Sequence, residues 1–371
     1  SGGIGGKSVT KLKSEIYKRF EIPEGKEKPD NVEFLYLDSD TNELNNSCNK
    51  DINGIGLNAE DLCPIYNPAA GGLFKQHDWY SKLKDYQKKW YNPTLSPVLS
   101  GNGAGGVRQA SRYLMTSDGA FHKIEENIKR KLNSLMEDTL TEGAKIRVFL
   151  IAGIGGGTGS GSFLDLAYIM REIIREKGWT SRFEMIGCLY LPDVYEVSGA
   201  GKFKIMENGY AALKELDYFM NVENLEDGGF NMQYLSKFEI TNPKTNVFDN
   251  CILMTGSKDG VGAIVHSEST AITTLTDFII DLITRTDKIG DKFLIDSFLD
   301  NKVHLDVALD QLVNTPMNAN FSYMAIGASS IVLPFEQITC YLGYKTMERI
   351  NTLWDKEPNA AEITNLMNKL G

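Results

Sequence analysis

The sequence lacks the features that mark membrane, secreted and nucleic-acid-binding proteins. It contains no run of about 18 apolar residues and no basic leader followed by an apolar segment, so neither a membrane span nor a signal peptide is predicted. Its 39 basic residues are outnumbered by 49 acidic ones, which gives a net charge of -10. This charge disfavours broad binding to nucleic acid or to an anionic membrane. We therefore expect neither as a partner.

Cysteine is also scarce and scattered. The five cysteines form no CxxC pair and no Cys/His cluster with metal-ligand spacing, which predicts neither a disulfide framework nor a zinc site. A reducing cytoplasm is the expected compartment. The cysteines are Cys48, Cys63, Cys188, Cys251 and Cys340.

Short apolar runs alternate with amphipathic helical segments along the chain. This alternation predicts an α/β protein with a Rossmann-like, mainly parallel sheet and helices on both of its faces. The predicted strands are residues 32–37, 146–152, 183–191 and 251–254, and the predicted helices between them are residues 7–20, 106–114, 121–139, 160–177 and 203–220.

Three parts are expected in the chain. Residues 1–260 are predicted to form a first domain with an insertion at 45–100, which is rich in Asn, Gly and Pro. Residues 261–300 are predicted to hold a long central helix (262–285) and a connector. The remainder, 301–371, is predicted to begin a second α+β domain, with a short helix at 306–313, a strand at 321–333 and a helix at 335–354.

The most informative segment is residues 153–161, where six of nine residues are glycine. It follows a buried strand directly and leads into a helix. Glycines allow the backbone to approach a ligand closely, so that N–H groups and the positive end of the helix surround phosphate oxygens. Thr158 and Ser160 add hydroxyl donors. This composition predicts a phosphate-binding loop.

Three further segments end predicted strands or begin helices, and in an open parallel sheet that edge binds ligands. Residues 2–8 and 101–106 are glycine-rich, and 38–41 carry Asp38 and Asp40, which suit a Mg²⁺-water shell or a sugar hydroxyl. No strand precedes residues 2–8, so the sequence as given is expected to lack its first strand. It ends in a helix that is predicted to be polar.

The Gly-Lys-Ser at residues 6–8 leaves a P-loop ATPase or kinase as an alternative, although Ser1 stands where that motif needs glycine. A Rossmann dehydrogenase is disfavoured, because the glycine-rich segment 153–161 follows a middle strand and other glycine segments accompany it.

Together these motifs resemble the tubulin/FtsZ superfamily, as found in bacterial or phage tubulin-like GTPases. Residues 155–161 are identical to the tubulin signature and differ from that of FtsZ only at Ser160. Residues 3–6, 38–40 and 103–106 resemble the family's other loops in order. Residues 191–196 and 206–216 resemble the sugar-binding loop of FtsZ and its next helix. The resemblance covers roughly residues 2–335.

The resemblance implies that the chain binds GTP or GDP with Mg²⁺. The glycine segments would contact the phosphates, the loop with Glu196 the ribose, and the start of the central helix the guanine. No protein ligand to a metal is singled out. The implied nucleotide-binding residues are Gly5, Gly6, Asp38, Asp40, Gly103, Ala104, Gly105, Gly106, Gly155, Gly156, Gly157, Thr158, Gly159, Ser160, Gly161, Glu196, His266 and Glu268.

The guanine end departs from the family pattern. Residues 255–259 lack the Asn that FtsZ and tubulin place after the strand preceding the central helix. Asp259 and Glu268 are instead the carboxylates that can accept hydrogen bonds from guanine N1 and N2.

In the family, the next subunit of a head-to-tail filament supplies the catalytic acid. The matching segment is 301–312, where His304 stands in place of Asn and the acids are Asp306 and Asp310. Four residues apart, the two carboxylates share one helix face and can hold a water together. The resemblance thus implies an assembly-dependent GTPase. A non-hydrolysing nucleotide-binding scaffold that recruits partners remains the alternative.

Overall fold

A computed structural model describes most of the chain, in two compact units that span Ser1–Gly327 and Ala328–Gly371. The described residues are 1–20, 28–51, 54–65, 76–94, 103–138, 145–195, 200–222, 230–235, 238–241, 244–258, 264–266, 268–284, 323–326, 335–354 and 359–370.

The first unit contains ten strands and eight helices within its described residues. The strands are β1 Tyr36–Asp38, β2 Leu62–Pro64, β3 Ile146–Gly153, β4 Phe183–Tyr190, β5 Asn231–Leu235, β6 Phe238–Thr241, β7 Asn250–Met254, β8 Ser257–Lys258, β9 Ile264–His266 and β10 Tyr323–Met324. The helices are α1 Gly2–Arg19, α2 Thr41–Ser47, α3 Asp85–Lys88, α4 Arg108–Met115, α5 Asp118–Asp138, α6 Thr158–Glu176, α7 Ala200–Phe219 and α8 Glu268–Thr284. The second unit contains α9 Phe335–Trp354 and α10 Ala360–Leu370.

The main sheet has the strand order β10-β7-β4-β3, and all of its pairs are parallel. The longest pair runs from Ile146 opposite Phe183 to Gly153 opposite Tyr190. Parallel strands end at one edge, so the segments after β3, β4 and β7 meet there. The parallel pair β1-β2 forms a separate small sheet.

Helices cover both faces of the main sheet, as its alternating side chains require. Leu150 and Leu189 point into the core that contains α4, α5, α6 and α7. Their neighbours Ile151 and Cys188 point into the core that contains α1 and α8. The predicted α/β class, with a mainly parallel sheet and helices on both faces, is confirmed.

Several predicted elements have different bounds in the structure. The strand predicted at 32–37 is only Tyr36–Asp38. The prediction of a helix at 262–285 was wrong at its start. The β-branched Ile264 and Val265 form β9, which pairs with β8, and the helix begins at Glu268. The antiparallel hairpin of β5 and β6 was not predicted. The helix at 335–354 is confirmed, whereas 306–313 lies outside the described residues.

The predicted insertion at 45–100 contributes to the main core where it is described. Trp79, Leu83 and Tyr91 are buried in the same cluster as the sheet residues. The Trp90 ring lies 4.6 Å from the Arg112 guanidinium of α4. The described parts of this segment therefore belong to the main core of the first unit.

None of the described helices combines the length and the apolar character that a membrane span requires.

Candidate functional site

The glycine segment 153–161 forms the turn between β3 and α6. Gly157 is the N-cap, and α6 begins at Thr158 inside the motif. The first N–H groups of a helix have no partner within it, and the helix dipole places partial positive charge there. The segment thus offers backbone donors and a favourable field to an anion.

Close backbone contacts bring three glycine segments together here. A Cβ atom on Gly157 would lie 2.9 Å from the backbone of Gly106, and one on Gly2 would lie 2.7 Å from the backbone nitrogen of Gly159. One on Gly161 would lie 2.2 Å from the carbonyl oxygen of Arg108. Glycine is therefore required for the segments to meet.

Gly156 is different. A Cβ atom at Gly156 would meet no described atom beyond its chain neighbours closer than the Tyr195 hydroxyl oxygen, at 3.8 Å. Its φ is not in the left-handed region either. Neither packing within the described protein nor backbone conformation explains why this position is glycine.

The segment 2–6, predicted as a loop that opens a helix, is already the first part of α1. This corrects the prediction. A Cβ atom on Gly5 would lie 2.8 Å from the Ile151 carbonyl oxygen, and one on Gly6 would lie 2.2 Å from the Tyr36 ring. Both glycines allow α1 to pack closely on the sheets, and their contact with phosphate stays a prediction.

The segment 103–106 needs glycine for conformational reasons. Gly103, Gly105 and Gly106 have φ values of 80°, 58° and 70°, which side chains rarely adopt. Ala104 is buried, and its carbonyl accepts a hydrogen bond from the Val107 N–H at 2.9 Å. This tight turn leads into α4.

Asp38 and Asp40 have different environments. Asp38 is buried, and its carboxylate accepts hydrogen bonds from the Tyr36 hydroxyl at 2.6 Å and the Asp40 N–H at 3.0 Å. Asp40 caps α2 by accepting from the Asn42 N–H at 2.8 Å, and it lies beside Gly103. Asp40 is therefore the more accessible of the two carboxylates beside the glycine segments.

Hydroxyl groups join these segments. The Ser39 and Thr158 hydroxyls are hydrogen-bonded at 2.7 Å. The Ser160 hydroxyl accepts from the Arg108 Nε at 2.8 Å, and Arg108 also forms an ion pair with Glu215. Thr158 and Ser160 are both buried.

The contribution of α7 to this edge was not predicted from the sequence. The Asn208 amide donates to the carbonyls of Gly106 and Gly155 at 3.0 Å and of Gly156 at 3.2 Å. The Lys204 ammonium donates to the Gly105 carbonyl at 2.6 Å. Asn208 lay within the segment that resembled an FtsZ helix, but no spacing rule assigns its amide to these carbonyls.

Tyr195 also lies against the glycine segment. Its hydroxyl oxygen lies next to the backbone N–H groups of Gly156 and Gly155, and 3.8 Å from where a Cβ atom of Gly156 would be. Burial raises the pKa of the Tyr195 phenol, so the hydroxyl stays protonated at neutral pH. An oxygen atom thus lies beside the N–H groups of this segment.

At the end of the site where the guanine base is predicted to bind, called the base end below, the groups are side chains. The Lys7 ammonium of α1 lies 2.5 Å from the Glu268 carboxylate at the start of α8. The hydrogen bond to Glu268 raises the pKa of Lys7. His266 lies in β9 with its backbone opposite Ser257. The pair of Lys7 and Glu268 was not predicted, because the two residues are 261 positions apart.

Four acidic residues singled out in the sequence lie outside the described residues, namely Glu196, Asp259, Asp306 and Asp310. Among the residues that the structure does describe, no three His, Cys, Asp or Glu side chains are grouped so as to hold a metal ion.

Comparisons with known proteins identify the family of the chain. The family described as "Tubulin like" matches residues 1–351. Among solved structures, the chain is similar to CetZ from Methanosaeta thermophila strain DSM 6194, with 12% identity and a TM-score of 0.39, over 81% of this chain and 57% of that protein. No match was found among curated proteins. The chain belongs to the tubulin-like family.

Proposed function

We propose that this chain binds GTP or GDP with Mg²⁺ and hydrolyses GTP as it assembles head to tail into filaments. Membership of the tubulin-like family supports this function, and the convergence of glycine segments supports a nucleotide as the ligand. The observation that carries the phosphate site is Gly156, because packing within the described protein does not explain this glycine, whereas the close approach of a phosphate does.

In this proposal, the phosphates lie against residues 153–161 and 103–106. Thr158 and Ser160 support them at the start of α6, where the dipole favours negative charge. Asp40, beside Gly103, is the residue placed to accept a hydrogen bond from a Mg²⁺-bound water. Mg²⁺ would neutralise charge that develops on the phosphates during hydrolysis.

The base would lie toward Lys7 and Glu268. Guanine presents an acceptor at O6 next to donors at N1 and N2, so an ammonium and a carboxylate together match its edge. Glu268 accepts from N1 and N2 in this arrangement. Lys7, which already bonds to Glu268, is placed to donate to O6.

Phosphoryl transfer to water needs positioned charge and a group that orients the water. We assign that second role to Asp306 and Asp310 of the adjacent subunit in the filament. GTP turnover per subunit should then rise once the protein concentration passes the assembly threshold. Constant turnover across that threshold, or normal hydrolysis by Asp306→Ala, would exclude a site shared between subunits.

The nucleotide itself is identified by denaturing the purified protein and analysing what is released. A guanine nucleotide supports the proposal, while ATP or a dinucleotide contradicts it. The second candidate, a non-hydrolysing scaffold, is favoured by the altered base-end residues 255–258. It predicts intact GTP in the purified protein and no turnover even at high concentration.

A further inference from the structure

One side chain of α7 holds both glycine segments of the proposed phosphate site. Asn208 donates to carbonyls at Gly106, Gly155 and Gly156, which belong to two segments about 50 residues apart in sequence. An amide nitrogen has two hydrogens, so its two donors are shared among the three acceptors. Asn208 therefore fixes these segments relative to each other.

Because the peptide bond is planar, the contacts with Asn208 also determine which way the neighbouring N–H groups point. In a trans peptide, the C=O and the following N–H point to opposite sides. Because the carbonyls of Gly155 and Gly156 face Asn208, the N–H groups of Gly156 and Gly157 face away from it. Those two N–H groups lie at the start of α6, where an anion is favoured.

Tyr195 lies against one of these two peptides. Its hydroxyl oxygen lies next to the N–H group of Gly156, which faces away from Asn208, and next to that of Gly155 in the preceding peptide. A phosphate oxygen bound to the Gly156 N–H group would have to displace this hydroxyl.

We infer that Asn208 is a positioning residue that aims the Gly156 and Gly157 N–H groups at a nucleotide phosphate, and that the Tyr195 hydroxyl competes with the phosphate for the Gly156 N–H group. The inference rests on the proposed function, since it takes the phosphate from a bound nucleotide. Asn208 acts through the backbone and does not touch the phosphate. Changes at the two residues should therefore shift nucleotide affinity in opposite directions.

The test compares GTP affinity by equilibrium binding in the full chain. Asn208→Ala should weaken binding by about 10- to 100-fold, because hydrogen bonds to charged groups contribute about 1.5–3 kcal/mol. Asn208→Gln keeps the donor and should recover part of that loss. Tyr195→Phe keeps the ring but removes the competing acceptor, and should tighten binding by about 2- to 10-fold.

Asn221→Ala is the matched control. The Asn221 amide also donates to a backbone carbonyl, that of Asp217 at 2.7 Å, but it touches neither glycine segment. This variant should bind GTP as the wild type does. Amide hydrogen exchange of residues 153–161 without nucleotide adds a second measurement, and Asn208→Ala should exchange faster there while Asn221→Ala should not.

The outcomes separate this inference from the proposed function. If the wild type binds no guanine nucleotide, the proposed function fails. If the wild type binds GTP and Asn208→Ala binds it equally well, only this inference fails. Weaker binding by Tyr195→Phe would also overturn it, because the hydroxyl would then support the nucleotide site and not compete for it.

Discussion

The two ends of the proposed nucleotide site are built in different ways. The phosphate end consists of backbone, where a Cβ atom added to Gly2 or Gly157 would lie within 3 Å of the backbone of another glycine segment. The base end consists of a partly exposed pair of side chains, Lys7 and Glu268, with 54% and 28% of their side-chain areas exposed. The phosphate end should therefore depend on packing, and the base end on charge and hydrogen bonding.

The largest effect should come from breaking the support of the phosphate end. Arg112 of α4 pairs with the buried Asp165 of α6 at 2.9 Å, so the pair joins the helices that follow two of the glycine segments. Tyr234 donates to the same carboxylate at 2.8 Å. Arg112→Ala should lower the free energy of unfolding by about 3–5 kcal/mol, because it leaves a buried carboxylate unpaired. Chemical denaturation measures this loss.

The control for this change is Arg175→Ala, on α6 as well. Arg175 pairs with Glu172 one turn away, and 67% of its side chain is exposed. Such pairs contribute about 0.5 kcal/mol or less. Equal losses of stability for Arg112→Ala and Arg175→Ala would mean that the phosphate end has no special structural support.

An intermediate effect should follow from Glu268→Gln at the base end. Glutamine offers one acceptor and one donor, so it cannot accept from both guanine N1 and N2, but it matches xanthine, which has a carbonyl at position 2. Affinity for GTP should fall by about tenfold or more, and affinity for XTP should rise. Competition binding measures the ratio.

Asp277→Asn, on the same helix α8 but farther along it, should leave the ratio of GTP to XTP affinity unchanged. An unchanged ratio for Glu268→Gln as well would place the base away from the start of α8.

The smallest effect should follow from Lys7→Ala. The Lys7 ammonium is the more exposed member of the pair, and exposed ion pairs contribute about 0.2–1 kcal/mol. GTP affinity should fall only about two- to fivefold in an equilibrium binding assay. Abolished binding would favour the P-loop interpretation, in which this lysine contacts the phosphates.

The sequence was sufficient to predict β3, β4 and β7 of the main sheet and the glycine-rich turn that follows β3, but not the place of β10 beside β7. Continuous apolar runs such as residues 146–152 are strong signals for buried parallel strands, and six glycines after such a strand have few structural uses. The start of α1 was harder to predict. Glycine disfavours a helix, yet tertiary packing on Tyr36 and Ile151 places Gly5 and Gly6 in one.

The side-chain contacts of the site were beyond sequence reasoning. Asn208 and Lys7 reach their partners across 53 and 261 positions, and no periodicity connects residues so far apart. The hairpin of β8 and β9 was missed because Ile264 and Val265 also fit the apolar face of a helix that begins soon after them. Long-range packing decided these features.

The measurement that most directly tests the central claim is the GTP affinity of Gly156→Ala. Since the described protein leaves room for the added methyl group, the thermal stability without nucleotide should match that of the wild type. Affinity should fall by about 5- to 150-fold, because crowding a packed contact costs about 1–3 kcal/mol. Gly119→Ala, where a Cβ atom meets nothing within 4 Å, is the control and should bind normally. Wild-type affinity in Gly156→Ala would contradict a phosphate site at residues 153–161.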